Sequence, residues 1–207
     1  MKFNSTAILE ELQADVRGLI LTASYLQKED PELLLMTPSA ERWSVMQILE
    51  HLNSYGRYYL PAIEKSLRLN TRPKETFSPG WFGNYFTKIM KPGANGRIRN
   101  KMTSPKDHRP PASLQVKPVM EDFMNQQQQL LNLLEKAKQK DIGGIRTPIS
   151  ISRFIKLKVG DTFRFLIAHE QRHFVQIAST IGQIQAATGK FQSAPQAIEH
   201  SPVFSHD

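Results

Sequence analysis

His169 and His173 stand four residues apart in the stretch HEQRHFVQI, a spacing at which two imidazoles can hold one metal ion. On an α-helix such positions share a face, with Cβ atoms about 5–6 Å apart. That suits two bonds of roughly 2.0–2.1 Å to a common ion. The same stripe carries Leu166, Ile177 and Thr180, so both rings are expected to face the protein interior. A buried imidazole must satisfy both ring nitrogens: an ion takes one, and an acceptor behind the ring takes the other. A single inward histidine is usually a hydrogen-bonded core residue. Two on one stripe are harder to satisfy without an ion.

The stretch also reads HExxH, the zinc-protease motif, but the features that accompany it are missing. HEQRH is followed by FVQIAS, Glu199 and His200 lie in a proline-flanked polar tail, and no stretch shows strand alternation over a useful length. A better third ligand lies earlier. In WSVMQILEHL, His51 sits two turns into a helix at the border of its apolar stripe, with Gln47, Tyr55 and Tyr58 on the same narrow face. Three neutral imidazoles leave a divalent ion its full charge and an open position. Such an ion lowers the pKa of water to about 7, or polarises a carbonyl or phosphoryl oxygen. Glu170, next to His169, is the candidate general base, although it lies roughly a quarter-turn off the histidine axis. Gln47, Tyr55, Tyr58 and Gln176 are candidates to line the pocket or orient the ligands, with plain helix packing as the competing account of each.

Four amphipathic stretches must position these groups. The first runs from Ser5 to Leu26, with Leu12, Val16, Leu19, Ile20 and Ala23 on one stripe. The second opens on Ser44, an N-cap whose capping box is completed by Gln47, and continues to about Leu69. The third begins near Pro118 and carries Met120, Phe123, Leu130, Leu134 and Ala137, with Gly143-Gly144 soon after. The fourth starts around Asp161, read as its N-cap, and runs to about Ala187 with Gly189 as the stop. In a chain of 207 residues this predicts an all-α fold, a four-helix bundle, forming one domain over 1–190 with a loosely held tail, 191–207. The connection between the second and third helices, about 70–116, holds six prolines and is expected to cross over the bundle. Its aromatic group, Trp81, Phe82, Tyr85 and Phe86, is expected as a short helix tucked against the core.

Composition narrows the chemistry further. Hydrophobic content of 40% and charged content of 22% are ordinary. No run approaches the roughly 18 apolar residues of a membrane span, and the start lacks a secretory pattern, so no membrane partner and a cytoplasmic setting are expected. With no cysteine there is no Cys–zinc site, and any thiol must come from a cofactor. The net charge of +8 is concentrated in residues 88–109, with seven Lys/Arg against one Asp. Arg97, Arg99, Lys101, Lys106 and Arg109 are candidates for a lid that attracts an anionic substrate or cofactor, and His108 in PKDHRPP joins them. A solvated loop is the competing account. The same stretch supports the alternative of a nucleic-acid- or anion-binding bundle without catalysis. Against nucleic acid, no recognition-helix or zinc-finger motif is present.

Trp43-Ser44 followed by His51-Leu52, and His169-Glu170-Gln171-Arg172-His173 followed by Gln176-Ile177, resemble the DinB-like superfamily. The resemblance covers most of Ser5–Ala187 in helix order and is specific only in these two motifs taken together. Within the superfamily, the likeness is to the YfiT-type group of metal-dependent hydrolases and to the bacillithiol- or mycothiol-dependent S-transferases. It implies a four-helix bundle and frequent homodimers. It also implies a site for zinc, nickel or a similar divalent ion, with His51, His169 and His173 as ligands. The implied activity is that of a metal-dependent hydrolase or thiol transferase on a small molecule, in some members with a low-molecular-weight thiol as cofactor. The long basic crossover exceeds the family's minimal pattern.

Overall fold

The computed structural model describes residues 2–93, 98, 102–150 and 152–190. Arg97, Arg99 and Lys101 of the expected anion lid lie outside the described residues, as does the tail 191–207 with Glu199, His200 and His206.

Local chemistry sets the ends of the helices. Asn4 Oδ1 accepts the Ala7 amide at 2.9 Å, satisfying one of the free N–H groups of the first turn, and helix α1 (Ser5–Leu26) follows. A five-residue helix α2 (Pro31–Leu35), capped by Asp30, comes next. It is too short to show a period in the sequence. Helix α3 (Val45–Leu67) opens on the predicted capping box: Gln47 N–H donates to Ser44 Oγ at 3.2 Å, and Ser44 N–H to Gln47 Oε1 at 3.0 Å. Helix α5 (Val116–Ala137) and helix α6 (Val159–Thr188) supply the remaining length. Between α3 and α5 lies helix α4 (Trp81–Met90). Gly189 stops α6 in the left-handed region, φ 68°, where a residue without Cβ is unstrained.

The result is an all-α bundle. Helices α1 and α3 each pack against both α5 and α6. The expected stripe residues Leu12, Val16, Leu19 and Ala23 of α1, and Leu166, Ile177, Thr180 and Ile184 of α6, are buried. The core falls into two apolar clusters, one around Tyr55, Tyr59, Phe163 and Leu166, the other around Ile48, Leu49, Leu52, Phe174 and Ile177. On α3, His51 lies where one gives way to the other, and on α6 His169 and His173 do the same.

Three expectations are corrected. A hairpin, β3 (Arg146–Ile149) with β4 (Ser152–Lys158), joins α5 to α6 where no strand was expected. Its alternation is hidden because Phe154, an apolar residue, is 98% exposed while Leu157 is buried. Second, α6 begins at Val159, and Asp161 lies inside its first turn. Its Oδ2 accepts the Gly80 amide at 2.7 Å, so Asp161 caps the start of α4 instead of its own helix. Third, α4 forms but does not tuck its aromatics inward: Trp81, Phe82 and Tyr85 are exposed, and only Phe86 packs partly against the core. The inward face is Gly83 and Thr87. A Cβ on Gly83 would fall 2.3 Å from the Asp161 side chain, so only glycine permits this approach to α6.

The crossover is tied down at its start by β2 (Thr76–Phe77), which pairs antiparallel with β1 (Phe3–Asn4). It then passes through α4 and a single 3-10 turn, Lys106–His108. Among the described residues no helix is long and apolar enough to cross a membrane.

Candidate metal centre

The ring of His51 on α3 meets those of His169 and His173 on α6, with one potential ligand atom from each lying within 4.8 Å of the others. His169 Nε2 and His173 Nε2 are 3.1 Å apart. Two atoms bonded at roughly 2.1 Å to one tetrahedral ion would be about 3.4 Å apart. The His51 ring centroid is 5.3 Å from that of His169 and 4.6 Å from that of His173.

Each ring is braced differently. His51 Nδ1–H donates to the His108 carbonyl at 2.7 Å, and His173 Nδ1–H donates to Gln176 Oε1 at 2.9 Å. Both rings therefore keep the Nε2 lone pair for the centre, the arrangement in which an outer acceptor fixes the tautomer of a ligand histidine. His169 Nδ1 is buried with no hydrogen-bond partner. Packing holds that ring: Phe165 stacks on it at 6.1 Å and Tyr55 lies at 4.4 Å.

Charge state favours ligation. Burial pushes the His51 imidazole down to about 4 and that of His173 down to about 3. Burial, then the neighbouring His173 and His51, hold His169 well below the ordinary histidine value. At neutral pH all three rings are uncharged, the form that binds metal. Converging neutral lone pairs, two of them oriented from behind, fit a divalent ion.

The model of the DinB superfamily matches residues 9–177. The chain belongs to the DinB superfamily. Comparison with curated proteins and with solved structures finds no match.

In this DinB-superfamily chain the other nominated residues separate. Tyr55 lines the cavity above the histidines. Tyr58 points away, its hydroxyl donating to the Ile149 carbonyl at 2.9 Å. Gln47 is used by the capping box and by a bond from Nε2 to the Pro111 carbonyl at 3.3 Å. Glu170 is buried and turned toward α5, where Gln127 Nε2 donates to its Oε1 at 3.0 Å. Burial pushes its carboxyl up to about 8, and it does not line the histidine cavity. Lys106 and Arg109 are exposed.

The structure also brings His108, Arg172 and the 103–105 segment to the site. His108, expected to join a basic anion-binding loop, is buried and stacks on Tyr55 at 3.8 Å. Its Nδ1 lies 2.9 Å from Ser54 Oγ, whose own proton goes to the His51 carbonyl, so the ring is the donor. Arg172 and the loop segment Thr103, Ser104 and Pro105 complete the cavity wall. The signal for Arg172 was present, one residue before His173. Nothing in the sequence marks the carbonyl of His108, because every residue has one.

Proposed function

We propose that this chain is a metal-dependent enzyme, a hydrolase or thiol transferase acting on a small molecule, with His51, His169 and His173 holding a divalent ion such as zinc or nickel. The observation that carries the reading is the convergence of three neutral imidazoles from two helices beside an open cavity of about 60 Å³. A bound divalent ion would lower the pKa of water or of a thiol, or polarise a carbonyl or phosphoryl group.

The chain's own residues supply the rest. His108 and Gln176 hold two ligand rings in the correct tautomer, while Tyr55 and Phe165 pack the third. The 103–105 segment and Arg172 wall the cavity and limit water. Glu170 is given a packing role against Gln127, because its carboxyl faces α5. The chain has no cysteine, so the transferase route uses a thiol from outside. The reading takes 1–190 as one domain and includes the homodimer common in the family.

Metal analysis of tag-free protein and of His51→Ala, His169→Ala and His173→Ala tests it. Wild type is expected to retain about one ion per chain, and each variant less than about a tenth of that. Unchanged metal content in all three variants would end the proposal.

A further inference from the structure

Three tyrosines follow His51 on α3, and their hydroxyls are not used alike. Tyr58 Oη donates to the Ile149 carbonyl at 2.9 Å, and Tyr59 Oη accepts the Ser150 amide at 3.2 Å. Tyr55 is only 7% exposed, yet its hydroxyl has no hydrogen-bond partner among the described residues. A polar group so far inside a protein is ordinarily paired. The Tyr55 ring is covered by His108 at 3.8 Å and by His169 at 4.4 Å between centroids. Its hydroxyl end is what remains to face the space beyond.

That space is two cavities. One is the histidine cavity. The other is larger, about 230 Å³, and is walled by Tyr59, Phe86, Ile149, Leu157 and Phe165. Tyr55, Met90, Thr103 and Pro105 line both, so the two are adjoining chambers of one site. No charged side chain lines the larger chamber among the described residues. A charged group buried there would go uncompensated, whereas apolar surface gains by leaving water.

We propose that the site takes a carbonyl compound whose oxygen accepts a hydrogen bond from Tyr55 Oη beside the three histidines, with an uncharged apolar chain or ring in the 230 Å³ chamber. This rests on the reading that the histidines mark the reacting end, and it makes Tyr55 the residue that orients the substrate toward them. A phenol is a donor at neutral pH, and esters, amides and ketones share the acceptor.

The test is a ligand-observed NMR titration of the metal-free and the zinc-treated chain with methyl ketones from butanone to octanone. Affinity is expected to rise about fourfold per added methylene, as for burial of one CH₂ group, until the chamber is full. Acetophenone and ethylbenzene, one carbon skeleton with and without the oxygen, isolate the hydrogen bond. Tyr55→Phe keeps the ring and should weaken acetophenone by about fivefold, the ordinary worth of one hydrogen bond, while ethylbenzene binds as before. Leu157→Trp should abolish the length dependence. If that variant fails to fold by circular dichroism, Met90→Trp, half-buried where the chambers meet, replaces it.

Affinity independent of chain length in both forms of the wild type overturns the inference. So does a Tyr55→Phe variant that binds both aromatic probes as wild type does, or weakens both equally, since a packing role moves the two together. Length dependence that survives in the filled variant places the apolar group elsewhere and also overturns it. Length dependence and a Tyr55 effect without zinc uptake would sink the metal reading and leave this one standing; zinc uptake without them would do the reverse.

Discussion

The Nδ1–H of His51 donates to the main-chain carbonyl of His108, 57 residues further along the chain, at 2.7 Å. This bond ties the crossover to the histidine site, whose cavity Thr103, Ser104 and Pro105 also line. It fixes which nitrogen of His51 carries the proton and how the ring is turned, so that Nε2 is left for the centre. The loop is held in turn by His108 stacking on Tyr55, by Arg109 Nε donating to the Ser104 carbonyl at 3.2 Å, and by Gln47 reaching Pro111.

His108→Ala should therefore loosen His51, a proposed ligand that the His108 ring itself does not hydrogen-bond. Zinc affinity is expected to fall by about 10–100-fold, the usual cost of losing an outer partner of a ligand histidine. Competition with a chromophoric chelator measures it, and the helical circular dichroism should be unchanged. An affinity equal to that of wild type would show that the carbonyl holds its place without the ring.

Glu170 separates two chemistries. Its carboxyl hydrogen-bonds Gln127 on α5, so Glu170→Gln is expected to keep full metal content and to retain turnover within about twofold of wild type. Loss of a general base typically costs about 10²–10⁴ in rate. A drop of that size on any substrate turned over by wild type would return Glu170 to the catalytic role its sequence position suggests.

Asp141 should carry a pH-dependent share of stability. Burial alone would raise its pKa, but the Lys74 ammonium and the amides of Gly144 and Gly143 outweigh burial and hold it below the ordinary value. Lys74 Nζ lies 2.7 Å away, and the two amides donate to Oδ1 at 2.8 and 3.1 Å. A depressed carboxyl stabilises the fold above its unfolded pKa, about 3.9, and that contribution is lost as pH falls through the lower folded value. Asp141→Asn is expected to cost about 1–2 kcal/mol at pH 7, read by urea unfolding of the metal-free protein. The gap to wild type should close once pH falls well below the ordinary carboxylate range. A gap that persisted there would assign the cost to packing.

Much of the frame was legible in the sequence because its causes are local. The limits of α1, the Ser44–Gln47 capping box and the Gly189 stop each follow from residues within a turn or two of one another. The His169–His173 pair was legible for the same reason, since four residues on a helix put two rings on one face. The sequence could nominate His51 as their partner but could not bring α3 to α6.

Tertiary structure decided everything that depends on contacts distant along the chain. Asp161 had the composition of an N-cap and became one for another helix, because Gly83 and Gly80 let α4 come within reach. The aromatics of α4 suggested a buried face, yet glycine and threonine form it, since closeness to α6 and not hydrophobicity set the contact. The acceptor behind His51 is a backbone carbonyl, a group all residues share, so no pattern of side chains could reveal it. Periodicity records which face of a helix turns inward. Only folding determines what that face meets.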